Sequence, residues 1–88
     1  MGIKTAIPVE EAKIREHLAQ VEKNIRNFRD RIAEQRRRTE TLSADGHPTD
    51  VAEKTLKAYQ KTLEVMVNLR KIITAELKNY RARRRSPN

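Results

Sequence analysis

The residues of this 88-residue chain whose types could support catalysis are few: His17, His47, and a short stretch that holds Ser43, Asp45 and His47 together. Serine, aspartate and histidine are the components of a nucleophilic triad, but a triad also needs oxyanion donors from a second segment. All three residues here fall in one short run beside Gly46 and Pro48, where capping and turn chemistry accounts for them. The chain has no cysteine, and its two histidines stand far apart, so one chain assembles neither a structural zinc site nor a thiol redox centre. A di-iron bundle would require Glu-x-x-His pairs, which this sequence lacks. No catalytic, cofactor-binding or metal-binding residue is assigned, and no cofactor is expected.

Charge is the other chemical resource. Twenty Lys and Arg against twelve Asp and Glu leave a net charge of +8, and four of the basic residues, Arg81, Arg83, Arg84 and Arg85, crowd the C-terminal end. Such a cluster could contact polyanions, and it also suits the negative end of a helix dipole. The run Arg36, Arg37, Arg38 points in three directions on a helix, near Glu34 and Glu40, and reads as a solvated face.

Two long elements must carry these groups. Pro8 suits the first position of a helix, with Glu10 and Glu11 against its positive end. From there Ile14, Leu18, Val21, Ile25, Phe28, Ile32, Gln35, Thr39 and Leu42 follow one another in alternating steps of four and three, an unbroken heptad stripe. Asp45, Gly46 and Pro48 stop it. Asp50 with Glu53 has capping-box spacing, and the second stripe runs Ala52, Leu56, Tyr59, Leu63, Met66, Arg70, Ile73, Leu77, Tyr80. The prediction is an all-α antiparallel coiled-coil hairpin over residues 1–81, with a helix over 8–44, a turn at 45–49, a helix over 50–81 and a basic, disordered tail at 82–88. Two registers satisfy the stripes: one sets Leu42 against Leu56 and Val21 against Leu77, the other sets Phe28 against Leu63 and Ile25 against Met66. Polar residues on the stripes, Gln35, Thr39 and Arg70, read as register-fixing positions rather than a pocket, with Arg70 able to lie over Phe28 in one register.

Val65, Val67, Leu69 and Ile72 fall outside the second stripe. With them, the second helix is apolar around more of its circumference than one partner helix can cover. A two-helix hairpin has a single seam and a small core, so the expected solution is a homodimer of hairpins forming a four-helix bundle, with these four residues at the interface. The longest uninterrupted apolar run, Val65 to Val67, is far too short to span a bilayer, so no membrane insertion is expected. The opening MGIKTAIPVEE has no hydrophobic targeting segment, and a cytoplasmic location follows as an expectation.

Ala33, Glu34, Gln35, Arg36, the turn Asp45, Gly46, His47 with Thr49, and Ala75, Glu76, Leu77 together give the chain a further character. Between His17 and Leu77 it resembles small uncharacterised alphaproteobacterial proteins of helical-hairpin type, with the D-G-H-x-T turn as the distinctive feature. The resemblance implies a helical hairpin and no particular activity. The functional expectation is a non-enzymatic interaction or structural module that acts through homo-oligomerisation and contacts with a further, unidentified protein partner. The alternative is a basic nucleic-acid-binding hairpin dimer, similar in plan to the plasmid regulator Rop. Any polyanion binding is expected to be weak and non-specific, because Phe28, Tyr59 and Tyr80 all occupy stripe positions and leave no stacking platform.

Overall fold

In the computed structural model, which describes residues 8–85, two α-helices of 36 residues each, α1 (Val9–Ala44) and α2 (Asp50–Arg85), fold back on one another across the turn Asp45 to Thr49. The molecule measures 67 × 25 × 13 Å, one layer of two helices. Among the described residues there is no strand.

Local chemistry sets each boundary. Pro8 stands one place before α1 rather than inside it: its ψ of 148° is extended, and its carbonyl accepts the Ala12 N–H at 2.9 Å. At the other end Gly46 takes φ +76°, His47 N–H donates to the Leu42 carbonyl at 2.9 Å and Gly46 N–H to the Ser43 carbonyl at 3.1 Å. This pair of bonds is a Schellman motif, which satisfies carbonyls the helix end would otherwise orphan. The second helix has Thr49 at its flanking position, with Asp50 already helical, one residue earlier than the Asp50–Glu53 spacing suggests. Thr49 donates its hydroxyl to Glu53 Oε2 at 3.1 Å, while its carbonyl accepts the Glu53 N–H at 2.8 Å. The C-terminal boundary also moves: α2 continues to Arg85 rather than stopping at 81. Arg81 and Arg84 find a carboxylate partner there, which gives the last turn a reason to stay helical. Residues 86–88 lie outside the described residues.

The two stripes meet as one seam. Val21, Ile25 and Ile73 form its buried centre, packed by Ile14, Leu18, Leu63, Met66 and Val67, with Ile25 only 1% exposed. Three cross-helix contacts fix the register: Gln35 Nε2 donates to the Ala52 carbonyl at 3.3 Å, the Phe28 and Tyr59 rings meet edge to face at 6.0 Å, and Glu11 pairs with Arg81. They belong to the register that sets Phe28 near Leu63 and Ile25 near Met66. The alternative would separate Gln35 from Ala52 by about three helical turns. The cation over Phe28 is Arg31, with Cζ 5.1 Å from the ring centroid, and not Arg70. Arg31 is on Phe28's own helix, one turn away.

Candidate functional site: the outer face of α2 and the open end of the hairpin

Helix α2 carries a second stripe one residue out of step with the seam. It runs from Val51 through Thr55, Ala58, Thr62, Val65 and Leu69 to Ile72, again in alternating steps of four and three. One residue on an α-helix is a rotation of about 100°, so the second stripe lies roughly a quarter-turn around α2 from the face that meets α1. Val51, Val65, Leu69 and Ile72 keep 78, 66, 40 and 65% of their surface exposed. The two threonines extend the apolar character. Thr55 donates its hydroxyl to the Val51 carbonyl and Thr62 to the Ala58 carbonyl, both at 3.0 Å, so each hydroxyl is satisfied within its own helix. Three of the four expected interface residues, Val65, Leu69 and Ile72, are therefore surface residues of one face. The fourth is not: Val67 is half-buried and packs against the Val21, Ile25 and Ile73 cluster. Placed one step past Met66, it reaches the α1 side of the seam.

At the opposite extreme of the hairpin the basic residues meet a carboxylate. Glu11 is 5% exposed, and three guanidinium groups converge on it. Arg15, one turn further along α1, places Nη2 at 2.8 Å and donates Nε at 3.0 Å; Arg81 Nε lies at 3.4 Å and Arg84 Nη1 at 3.3 Å. Burial acts to raise the Glu11 pKa, but the hydrogen bonds and positive charge of Arg15, then of Arg81, outweigh it and hold the carboxyl below its ordinary value of 4.5. The residue had a sequence signal that the dipole reading passed over. Glu11 stands three residues before Ile14 and Arg84 four after Tyr80, so each continues its own seam by one step. They form a polar layer that closes the seam.

Of the four arginines expected to contact polyanions, Arg81 and Arg84 thus carry an internal partner, and Arg83 is exposed. Arg85 is the last helical residue. Elsewhere Arg38 pairs with Glu34 at 2.8 Å on the solvent side of α1, in keeping with a solvated face. A shallow groove of about 410 Å³ lies along Glu34, Arg37, Arg38, Thr41 and Leu42, open to solvent along its length. His17, Ser43, Asp45 and His47 are all exposed. Among the described residues no three of His, Asp and Glu come together in a way that could hold a metal ion. No described helix is long and apolar enough to cross a membrane. Comparison of the chain with protein-family models, with curated proteins and with solved structures finds no match.

Proposed function

We propose that the protein is a non-enzymatic helical interaction module of the cytoplasm that works by associating with itself and with other proteins. The observation that carries this reading is the exposed stripe on α2. Soluble chains scatter single apolar residues over their surfaces, but a heptad-spaced row about 30 Å long is the pattern a second helix packs against. The small core supports the same conclusion. Its buried apolar residues are Val21, Ile25, Ile32, Ala52, Ile73 and Leu77, and a core of that size in so short a chain supplies only ~3 to 5 kcal/mol without a subunit partner. Kinship with alphaproteobacterial helical hairpins through the D-G-H-x-T turn belongs to the same proposal.

Multi-angle light scattering at tens of micromolar tests it. The expected mass is twice the 10.3 kDa of one chain. Leu69→Glu should dissociate the assembly, because a carboxylate buried without a partner costs several kcal/mol. A wild-type monomer that melts cooperatively with high helicity would overturn the reading.

The net charge of +8 supports a second reading, a nucleic-acid-binding hairpin dimer of Rop-like plan. It ranks second because Glu11 engages Arg81 and Arg84, and because Phe28 and Tyr59 spend their ring faces and edges on each other and on Arg31.

A further inference from the structure

We infer that the outer face of α2 docks on the same face of a second copy in antiparallel order, about a two-fold axis beside Thr62 and Val65. In that register Thr55 of one copy lies against the partner's Ile72, Ala58 against the partner's Leu69, and Thr62 against the partner's Val65. The inference rests on the self-association reading and deepens it by naming the partner, its direction and its register.

Three observations carry it. The first is size. Beyond Val51 the stripe is graded, with the small residues Thr55, Ala58 and Thr62 first and the larger Val65, Leu69 and Ile72 after them. An antiparallel two-fold sets the large Ile72 and Leu69 on the smaller Thr55 and Ala58, with the near-isosteric Thr62 and Val65 at the axis and Val51 beside the partner's Glu76. A parallel two-fold would stack large on large at one end and small on small at the other. The second is charge. Glu76 continues the stripe four residues past Ile72, and the antiparallel register brings it within one turn of the partner's Lys54, twice by symmetry. Lys61 falls beside the partner's Asn68. Parallel packing would instead face Glu76 with the partner's Glu76, like on like, and leave Lys54 on the far side of the interface from it. The third is extent. Val51, Val65, Leu69 and Ile72 leave an apolar row about 30 Å long uncovered by α1, long enough for a helix of a second copy to lie along.

Self-pairing is also the occupant that the rest of the chain leaves open. Helix α1 carries no second apolar row: one step to either side of its seam the residues include Glu10, Lys13, Arg15, Glu22, Arg26 and Arg29. The two α2 helices therefore form the contact between copies, and each keeps its own α1 about 100° around its axis.

Cysteine cross-linking reads the register directly, because the chain has no cysteine of its own. A disulfide requires Cα atoms within about 7 Å. The double variant Thr62→Cys/Val65→Cys should convert most of the protein to a covalent dimer under mild oxidation. The single variant Val51→Cys should not, since the two Val51 positions would stand about 37 Å apart along the pair. Charge reversal gives an independent readout. Glu76→Lys should weaken dimerisation about tenfold, and adding Lys54→Glu should restore it. If light scattering gives a dimer but only Val51→Cys cross-links and the charge swap brings no rescue, the antiparallel inference falls and self-association stands. A monomeric wild type, with neither cysteine variant cross-linking, removes both.

Discussion

Glu11 Oε1 and Arg84 Nη1 lie 3.3 Å apart at the open end of the hairpin, the most distant pair in sequence to be joined by a side-chain hydrogen bond among the described residues. Together with Arg15 and Arg81 they turn the free ends of the two helices into a latch. Three cations share one carboxylate, so the cluster depends on that carboxylate being charged.

This dependence predicts how stability varies with pH. The Glu11 pKa is lower in the folded chain than its ordinary value of 4.5, so the unfolded chain binds the proton more readily. The stabilisation is then fully present above about pH 5 and disappears as the pH falls through the lowered folded value. Thermal midpoints of the wild type and of Glu11→Gln, compared from pH 7 to pH 3, should show a constant gap at the upper end that closes at the acidic end. A gap independent of pH would mean that Glu11 contributes through packing alone.

The latch also predicts where the chain can be shortened. Truncation after Arg85 should leave the melting temperature unchanged, because every cross-helix side-chain partner among the described residues is retained. Truncation after Arg81 removes Arg84 from the polar layer and should lower the midpoint by a few degrees, within the ~4 to 8 °C that ~1 kcal/mol moves a small domain. Circular dichroism melts at equal protein concentration distinguish the two. The difference follows from α2 reaching Arg85, where the sequence predicts a disordered tail from residue 82.

A third prediction concerns the turn. A Cβ built on Gly46 meets nothing within 4 Å, so any cost of Gly46→Ala comes from backbone conformation at φ +76° and not from a clash. That cost should be about 1 kcal/mol, and Gly46→Asn should cost less, since asparagine tolerates the left-handed region. Urea denaturation of the three proteins measures it.

Polyanion binding supplies the fourth. Charge alone gives sequence-indifferent affinities of ~10⁻⁴ to 10⁻⁶ M at physiological salt, falling steeply as salt rises. With Arg81 and Arg84 held by Glu11, wild-type binding to DNA and structured RNA should sit at the weak end. Glu11→Gln removes the competing carboxylate and should tighten binding without creating sequence preference. Mobility shifts at about 150 mM salt test both statements, and submicromolar wild-type binding at that salt would promote the nucleic-acid reading.

Most of the fold was legible because one physical signal, apolar spacing in steps of four and three, governs nearly all of it. Ile25 and Ile73 occupy stripe positions and are buried where that spacing puts them. Register was not legible from the stripes, since sliding a heptad repeat by seven residues leaves its apolar pattern almost unchanged. It is pinned by polar and aromatic particulars, Gln35 to Ala52 and Phe28 to Tyr59, that only the paired helices bring together. Val67 was misplaced for a related reason. The seam of α2 is wider than a strict two-position stripe, so a valine one step past Met66 still reaches α1. The pairing of Glu11 with Arg84 is hidden because charged residues at helix ends are expected to serve the dipole. Continuing each stripe by one step would have placed them in the seam.

The turn at Gly46 has a consequence for how the chain assembles. All contacts between α1 and α2 close through it, so the loop to be closed is shortest for the layers nearest the turn and grows steadily toward Glu11. Because closure entropy rises with loop length, the layers at Gln35 and Phe28 can form early with little loss, and each completed layer shortens the loop left for the next. The hairpin should zip from the turn outward and fray in the opposite order. Native-state hydrogen exchange would then read as a gradient along both helices, slowest in the layers at Gln35 and Ile32 on the turn side and fastest beside the arginine latch, with the apolar row on α2 becoming available to a partner before the last layer has closed.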